Sequence, residues 1–327
     1  MVVGIGGYYG YRNAGDEAIL LAMAREIRAR GLEALVLSAS PQETAEALGV
    51  EAVHRYHPLA VPRALARVDR FVLGGGGLLQ DKTSRRSLAY YLGLLRLARR
   101  LGRSVSVFGV SLGPLSPRGE RAVARALAGV PLVVRDRRSQ RYAERLGLAA
   151  HLGADPALLL PPPSVAREPG LVVVVPRHGV PAEPLHAGAR RLLNLGYEVL
   201  VLGLQPGRDE PVLEVFEHFP KETTGDPRRA LYLLASAEYV ISARLHGMIL
   251  AAVAGTPFAG VEYDPKVTGF AEETGAALLP LEASPGEIAA MVQGGVDPDW
   301  NAVDRLKERA RQSFDRLFPT PAPTSGA

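Results

Sequence analysis

The sequence contains no cysteine, which excludes a disulfide framework, a thiolate nucleophile and a cysteine-ligated metal. It also lacks any apolar run of the roughly 20 residues that a membrane span requires. The first ten residues, MVVGIGGYYG, have neither the basic region nor the long apolar core of a signal peptide. We therefore expect a cytoplasmic protein.

Lysine and aromatic residues are both scarce. Lysine occurs only at positions 82, 221, 266 and 307, so arginine supplies most of the positive charge behind the net charge of +4. A weakly basic balance fits anionic ligands or an anionic membrane surface, although a host that favours arginine would explain most of it without any partner. Aromatic residues make up 6% of the chain and are not interleaved with the charge as in a nucleic-acid groove. No nucleic-acid partner is expected.

What the sequence has instead is a regular alternation of strand and helix signals. Apolar runs such as VVGIG, RFVLGG and VSVFGV alternate with helical stretches such as EAILLAMAREIRARG, and a second series of runs follows the linker-like segment PPPSVAREPG. This order predicts an α/β protein with two Rossmann-like doubly wound domains facing across a cleft, a GT-B-like arrangement. The predicted boundaries are 1–165 and 166–318, with a disordered tail at 319–327. Ligands of such folds bind beyond the carboxyl ends of the strands.

The first loop after a strand is GGYYGYRNAGDEAIL, residues 6–20. It does not match the dinucleotide fingerprint, because Gly4 and Gly6 are followed by Tyr9 where a third glycine is required, and NAD is rejected. The loop carries polar tips suited to a polyhydroxylated ligand, at Tyr8, Tyr9, Arg12, Asn13 and Asp16. For Asn13 and Asp16, capping of the next helix is an equal alternative.

The second loop is FVLGGGGLLQDKTSRRSLAYY, residues 71–91. Four glycines, 74–77, are predicted at the end of a strand, where they would let a ligand touch the backbone. A polar group follows them, made of Gln80, Asp81, Thr83, Ser84, Arg85 and Arg86. One of the two arginines is expected to be only a solvated surface charge.

The third loop, YVISARLHGMIL, begins at residue 239. Arg244 and His246 follow a strand and open an apolar helix, whose dipole and free N–H groups favour an anion. The next strand ends in EYDPKV with Glu262, Asp264 and Lys266. The other histidines are expected to be structural, namely His54, His57, His151, His178, His186 and His218.

Seven segments in order resemble the polysaccharide pyruvyl transferase family, specifically its CsaB branch: GYYGYRNAGDEAIL, GGGGLLQDKTSRRS, GVSLGPLS, VVRDRRS, GADPALLL, ARLHGMIL and EYDPKV. The family's fold is similar to that of GT-B glycosyltransferases. The resemblance implies transfer of a pyruvyl group from phosphoenolpyruvate to a sugar, which gives a cyclic ketal. In the CsaB branch it implies a lipid-linked acceptor containing N-acetylmannosamine (ManNAc), a precursor of the wall polymer that anchors surface-layer proteins.

The resemblance also implies roles for individual residues. Catalytic roles fall on Arg86, Arg244, His246 and Lys266, and these four are expected to bind the donor together with Gly75 and Gly76. The acceptor is expected to bind on the N-terminal side, at Tyr8, Asn13, Asp16, Gln80 and Asp81. His246 is a candidate either for acid and base work or for a hydrogen bond to the phosphate.

The expected partners are phosphoenolpyruvate, as a co-substrate, and a lipid-linked glycan at the inner face of the cell membrane, which the protein would contact peripherally. No cofactor and no metal are expected. Two other functions share these features: a GT-B glycosyltransferase that uses a nucleotide sugar, and a non-catalytic protein that binds glycan or phosphate. Stabilisation by UDP or GDP compounds would favour the first, and binding without turnover would favour the second.

Overall fold

The structure is a computed structural model that describes residues 1–82 and 84–318. Thr83 and the tail 319–327, for which the sequence predicts disorder, lie outside the described residues. The described part of the chain forms two compact units, each with its own parallel sheet. None of its helices is both long and apolar enough to span a membrane.

The first sheet is built from the N-terminal half of the chain. Its strands are β1 (Val2–Gly6), β2 (Glu33–Ser38), β3 (Glu51–His54), β4 (Arg70–Leu79), β5 (Ser104–Leu112), β6 (Leu132–Val134) and β7 (Ala150–Leu152). The helices between them are α1 (Ala14–Ala29), α2 (Pro41–Leu48), α3 (Ala60–Arg67), α4 (Arg85–Arg100), α5 (Pro117–Leu127) and α6 (Arg137–Arg145). A 3₁₀ turn, Pro156–Leu159, follows β7.

The second sheet comes from the C-terminal half. Its strands are β8 (Leu171–Val175), β9 (Glu198–Gly203), β10 (Lys221–Thr223), β11 (Tyr239–Ser242), β12 (Phe258–Glu262) and β13 (Ala277–Pro280). The helices are α7 (Glu183–Asn194), α8 (Glu210–Leu213), α9 (Pro227–Ser236), α10 (Leu245–Ala254), α11 (Pro265–Thr274), α12 (Pro285–Gln293) and α13 (Trp300–Leu317). A 3₁₀ turn, Glu214–Phe216, follows α8.

Both sheets reverse their strand order once. The first runs β3-β2-β1-β4-β5-β6-β7 and the second β10-β9-β8-β11-β12-β13, with every neighbouring pair parallel. The order turns between β1 and β4 in one sheet and between β8 and β11 in the other. In doubly wound folds, ligands bind at the carboxyl ends of the strands beside this point.

The apolar pattern of the strands explains why both sheets are covered on two faces. All five residues of β8, LVVVV, are buried, as expected for a central parallel strand between layers of helices. Leu185, Ala189 and Leu192 of α7 are at helical spacing and pack on this sheet. In the first sheet, Val72 of β4 is fully buried, and so is Phe108 of β5, whose ring centre lies 4.5 Å from that of Phe314.

The two units are not contiguous in sequence. The N-terminal unit consists of residues 1–10, 19–156 and those from Leu306 onward, and the C-terminal unit of 11–18 and 157–305. The sequence analysis placed the boundary at 165/166, in the segment 160–170, which is irregular in the structure. It did not anticipate that 11–18 would group with the C-terminal half, or that the end of α13 would group with the N-terminal half.

The glycine run 74–77 is a correction to the sequence analysis. It was expected in a loop after a strand, but it lies inside β4, and Gly74 to Gly76 are buried. Gly75 has a φ of 70°, and a Cβ there would lie 2.2 Å from the Cγ2 of Ile19 on α1. The glycine therefore allows α1 to pack closely on the sheet, since any side chain would clash.

Candidate functional site

The carboxyl end of the second sheet gathers charged side chains at its turning point. Arg177 follows β8 and Arg244 follows β11, the two neighbouring strands between which the order reverses. Asp209 comes from the loop after β9, and Tyr263 from the loop after β12. Because parallel strands end at the same edge, four successive loops deliver these groups to one place.

Arg244 is held at the start of α10 by contacts from two sides. Its backbone N–H donates to Ser242 Oγ at 3.0 Å, and Ser242 Oγ donates to its carbonyl at 2.7 Å. Its Nη2 donates to Asp209 Oδ1. The Arg244 side chain is 12% exposed, and its buried Nε has no hydrogen-bond partner among the described residues. The guanidinium is therefore fixed in position and keeps one donor unused.

Asp209 is fully buried and directs both carboxylate oxygens to protein donors. Its Oδ2 accepts from the backbone N–H groups of Leu204 and Gln205, at 3.0 and 2.9 Å, and its Oδ1 accepts from Arg244. A buried carboxylate of this kind orients its cationic partner. It is a positioning residue for Arg244.

Arg177 makes a pair with Tyr263. Its Nη1 donates to the Tyr263 hydroxyl, and its guanidinium carbon lies 5.1 Å from the centre of the ring. Burial raises the pKa of Tyr263 above its ordinary value, while the charges of Arg177 and Arg244 act to lower it. Tyr263 is thus close enough to feel both arginines.

Lys266 lies in the first turn of α11, the helix that follows β12. Its Nζ is 3.5 Å from Asp264 Oδ2, and its backbone N–H donates to Asp264 Oδ1 at 3.1 Å, so Asp264 caps the helix. The Lys266 side chain is 34% exposed. Glu262, at the end of β12, is exposed.

The segment 11–18 reaches this edge of the C-terminal unit and contacts His246. The Ala14 N–H donates to the carbonyl of Leu204 at 2.8 Å. A Cβ built on Gly15 would lie 2.2 Å from His246 Nδ1, so this position tolerates no side chain without moving the imidazole. Glycine is needed at residue 15 because the backbone approaches the half-buried His246 directly.

Asn13 and Asp16 lie in this segment, where the sequence left helix capping as an alternative. Asn13 Oδ1 accepts from the Gly15 N–H at 3.1 Å, so its oxygen does cap the start of α1, while its amide group still offers donors. Asp16 is half-buried in the first turn. Arg12, just before them, is exposed and has a φ of 54°, a left-handed conformation uncommon for a residue with a side chain.

Taken together, these groups favour an anionic ligand. The carboxylate nearest to Arg244 is fully engaged by protein donors, whereas Arg177 is paired with a neutral tyrosine and Arg244 keeps an unused Nε. The first turns of α10 and α11 carry His246 and Lys266 in place of acids. A carboxylate or phosphate group here would meet charge-assisted donors. Among the described residues, no group of His, Asp and Glu side chains is arranged to hold a metal ion.

The remaining predicted site residues lie in the N-terminal unit. Tyr8 is half-buried against its core, and Tyr9 is buried with its hydroxyl donating to the carbonyl of Gly74 at 2.6 Å. Tyr9 is thus part of the packing. Nearby, Arg55 is 2% exposed and donates from Nη1 to the carbonyl of Gly7 at 2.6 Å. These contacts fix the backbone that carries Tyr8.

Gln80, Asp81 and Arg86 surround the start of α4. Gln80 is half-buried and Arg86, on the first turn, is exposed. Asp81 binds the start of α5, where it accepts from the N–H of Ser116 at 2.8 Å and from its hydroxyl. These bonds, chiefly the one from the Ser116 hydroxyl, hold the pKa of Asp81 below its ordinary value. Arg86 lies in a different unit from Arg244 and Lys266, and its role stays a prediction, as do those of Gly75 and Gly76.

The sequence analysis missed Arg177, Asp209 and Tyr263. Arg177 and Tyr263 had a usable signal, because each follows a buried strand of the same sheet within two residues. Asp209 had none, since its partner Arg244 is 35 positions away and the segment QPGRDE resembles a surface turn.

Solved structures of low sequence identity share this architecture over nearly the whole chain. The calicheamicin glycosyltransferase CalG4 is 14% identical, with a TM-score of 0.55 and 99% of both chains covered. The UDP-GlcNAc 2-epimerase from Neisseria meningitidis bound to UDP-GlcNAc is 10% identical, with a TM-score of 0.58, covering 95% of this chain and 99% of that one. A glycosyltransferase from Rickettsia africae is 12% identical, with a TM-score of 0.57, covering 97% and 94%. The fold is therefore GT-B-like, with two parallel-sheet α/β domains.

A family comparison goes further than the fold. The family described as polysaccharide pyruvyl transferase matches residues 13–265, well over half of the chain, and the protein belongs to this family. It is accordingly a transferase, and the family implies a glycan acceptor. No curated protein matches the chain significantly.

Proposed function

We propose that the protein transfers a pyruvyl group from phosphoenolpyruvate to a glycan and forms a cyclic ketal. Within the family we place it in the CsaB branch, with a lipid-linked ManNAc-containing acceptor that becomes the wall polymer anchoring surface-layer proteins. The donor binds at the turning point of the second sheet. The reaction takes place in the cytoplasm, at the inner face of the cell membrane.

The observation that carries the donor site is the placement of Arg244. Its guanidinium is oriented by a fully buried carboxylate and keeps a buried Nε for an external acceptor. Phosphoenolpyruvate has two anionic groups, a carboxylate and a phosphate. Arg244 and Arg177, from adjacent strands, supply two planar forks for such groups, and Lys266 supplies a third cation.

The residues suit the chemistry of ketal formation. A proton is added to C3 of the enol, which becomes the methyl group, and the oxygen of one sugar hydroxyl bonds to C2. The C2–O bond to phosphate then breaks, and a second sugar hydroxyl closes the ring, so that inorganic phosphate leaves and each hydroxyl loses one proton. Fixed cations beside the leaving phosphate stabilise the charge that develops there.

His246 and its neighbours provide the proton-transfer groups of this proposal. His246 contacts Gly15, so Asn13 and Asp16 on the same segment lie near the imidazole rather than in the opposite unit. We assign these two side chains to hydroxyls of the acceptor, with His246 as the acid or base or as a hydrogen-bond donor to phosphate. Acceptor contacts by Tyr8, Gln80 and Asp81 are also part of the proposal.

Release of inorganic phosphate tests the reaction directly. The protein is incubated with phosphoenolpyruvate and a panel of soluble or lipid-linked ManNAc glycosides, and phosphate is expected only when both substrates are present. Arg244→Ala and Lys266→Ala should each lower turnover at least tenfold, because each removes a charge-assisted contact to the leaving group. Arg190→Ala, which changes an exposed arginine on α7, is the matched control and should leave turnover unchanged.

Thermal stability separates this proposal from a nucleotide-sugar glycosyltransferase, the alternative that the fold also permits. Phosphoenolpyruvate at a hundredfold excess over its dissociation constant should stabilise the protein by about 2.7 kcal/mol. UDP-sugars at the same concentration should not. Stabilisation by UDP-sugars alone would replace the pyruvyl transfer proposal with glycosyl transfer.

A further inference from the structure

Positive charge is very unevenly distributed along the chain. Residues 61–150 contain 18 arginines and lysines against five aspartates and glutamates, although the whole protein has a net charge of only +4. This part of the sequence forms the helices α3 to α6, which cover one face of the first sheet. The outer surface of that helical layer is therefore strongly basic.

Much of this charge lies where three neighbouring helices begin. Ser84, Ser116 and Asp136 are the N-caps of α4, α5 and α6. In the two positions that follow each cap there are arginines, and we call four of them the basic rim: Arg85, Arg118, Arg137 and Arg138. All four are exposed, and no described carboxylate lies within ion-pair distance of any of them.

The placement of the basic rim opposes helix stability. The N-terminus of a helix carries partial positive charge, so a cation in its first turn is unfavourable. Elsewhere in the chain the first turns carry acids, as in α1 with Asp16 and Glu17, α2 with Glu43 and α12 with Glu287. Arginines at three adjacent helix starts therefore need an explanation other than local stability.

The rim lies at the carboxyl edge of the first sheet. Helices that follow parallel strands begin at this edge, and side-chain bonds tie their starts to the neighbouring loops. Asp81, before α4, binds Ser116 at the start of α5, while the hydroxyl of Ser111 at the end of β5 donates to Asp136 Oδ2 at 2.8 Å. Gln80 and Asp81, proposed to contact the acceptor, belong to the same edge.

Apolar side chains are exposed at the same edge. Tyr56 is 58% exposed and Leu59 is 60% exposed, and both belong to the loop between β3 and α3. The ring of Tyr56 lies 5.1 Å from that of Tyr90 on α4, which places this loop beside the helical layer. Exposed tyrosine and leucine next to arginine is the combination that enters the interface of a bilayer.

We propose that the basic rim, with Tyr56 and Leu59, docks the protein on the surface of an anionic phospholipid bilayer. The arginines contact lipid phosphates, and the two apolar side chains enter the interfacial layer. This inference rests on the proposed function, since a lipid-linked acceptor must be collected at a membrane. It brings the acceptor loops of the N-terminal unit to the surface that holds the acceptor.

Vesicle sedimentation with the full chain tests this surface. The protein should bind vesicles of phosphatidylcholine with 30% phosphatidylglycerol, bind much less to pure phosphatidylcholine, and dissociate as salt is raised. The triple variant Arg118→Ala, Arg137→Ala, Arg138→Ala should bind the anionic vesicles about a hundredfold more weakly, at about 1 kcal/mol per arginine. Its melting temperature should not fall, because the removed charges oppose the helix dipoles.

The matched control is Arg96→Ala, Arg99→Ala, Arg100→Ala. It removes the same charge from exposed positions of α4, but near the end of that helix at the opposite edge of the sheet. This variant should keep binding within a few fold. Equal loss in both variants, or no binding of the unchanged protein to anionic vesicles, would overturn the proposal. Tighter binding to duplex or single-stranded nucleic acid than to anionic vesicles at the same salt would overturn it too.

The docking surface and the proposed function fail in different ways. Phosphate release with phosphoenolpyruvate and a soluble ManNAc glycoside needs no membrane, so the rim variant should retain it fully. With a vesicle-borne acceptor the rim variant should lose turnover at low enzyme concentration. Phosphate release absent with every acceptor would contradict the proposed function, whereas equal activity of both proteins on vesicles would contradict only the docking surface.

Discussion

At the scale of single residues, the arrangement around Arg244 separates orientation from binding. Asp209 touches Arg244 and two backbone N–H groups, and it is fully buried, so it acts on a ligand only through the guanidinium that it holds. Its negative charge also weakens the attraction of the site for anions. Removing that charge should therefore affect affinity and turnover in opposite directions.

Asp209→Asn should lower kcat about tenfold without raising the KM for phosphoenolpyruvate. The amide still accepts from the backbone, but Arg244 loses its charged partner and its fixed orientation, whereas the loss of a nearby negative charge does not weaken donor binding. Steady-state phosphate release measures both constants. Asp264→Asn, at the N-cap beside Lys266, is the comparison, and an unchanged kcat in Asp209→Asn would contradict the role of Asp209.

A second residue-scale prediction concerns Gly15. Gly15→Ala places a methyl group 2.2 Å from His246 Nδ1, so the imidazole must move. We expect turnover to fall at least tenfold, because proton transfer requires hydrogen-bond geometry within a few tenths of an ångström. The pH–rate profile, measured with phosphoenolpyruvate and a soluble acceptor, should change its shape as well as its height.

Gly93→Ala is the control for Gly15→Ala. Gly93 lies within α4, where a Cβ meets nothing within 4 Å. Because alanine is the better helix former, this variant should be more stable by up to about 1 kcal/mol and should keep full activity. Full activity in Gly15→Ala as well would show that His246 takes no part in the reaction.

At the scale of strands and helices, side-chain patterns made most of the fold predictable. Runs such as LVVVV have a β-branched, wholly apolar composition that only a buried parallel strand satisfies, and the helices carry apolar residues at helical spacing. The glycine run 74–77 was misplaced because glycine has no side chain and therefore no pattern. What fixes it inside β4 is the close approach of Ile19, which local sequence does not reveal.

The candidate site was only partly predictable for a related reason. Arg244, His246 and Lys266 follow strands directly, so their position in sequence already places them at the carboxyl edge of the sheet. Asp209 reaches the same edge through a buried contact between distant loops, and Gly15 reaches His246 across more than 200 residues. Such contacts are set by tertiary packing, which a single sequence does not display.

The link between Asp81 and Ser116 gives an element-scale prediction about pH. Hydrogen bonds hold the folded pKa of Asp81 below its ordinary value of 3.8. A carboxylate with a lowered pKa adds stability above about pH 4 and loses that contribution as the pH falls through the folded pKa. Ser116→Ala should therefore lower the melting temperature most near neutral pH, and the difference from the unchanged protein should shrink in acid.

Ser84→Ala provides the comparison for Ser116→Ala. Ser84 caps α4 by accepting from the N–H of Ser87 at 3.2 Å, as Ser116 caps α5 by accepting from Gly119. Loss of either cap should cost about 1 kcal/mol. Only Ser116 also donates to a carboxylate, so the effect of Ser84→Ala should not vary with pH between 3 and 7. A parallel pH dependence in both variants would refute the contribution of Asp81.

At the scale of the whole molecule, the last helix belongs to the core of the first unit. Phe314 on α13 is fully buried against Phe108 of β5, and Arg30 donates to Asp315 at 2.5 Å. Phe314→Ala should destabilise the protein by about 3–5 kcal/mol, the usual effect of removing a buried phenylalanine. Chemical denaturation followed by circular dichroism measures it.

Phe314→Ala also tests how the molecule divides. Arg177, Asp209, Arg244 and Lys266 all lie in the C-terminal unit, so the variant should bind phosphoenolpyruvate with unchanged affinity at temperatures below its transition. Leu193→Ala, an exposed apolar position on α7, should change stability by less than about 0.5 kcal/mol. Loss of donor affinity in folded Phe314→Ala would contradict the assignment of the donor site to the C-terminal unit alone.

The interleaved division of the chain also has a consequence for biosynthesis. Residues 11–18 leave the ribosome among the first, yet the strands whose edge they join, β8 to β12, are translated more than 150 residues later. The sheet of the first unit must likewise wait for Phe314, near the end of translation, before that face is covered. Neither half can finish folding on the nascent chain by itself, and maturation of both is tied to synthesis of the last helix.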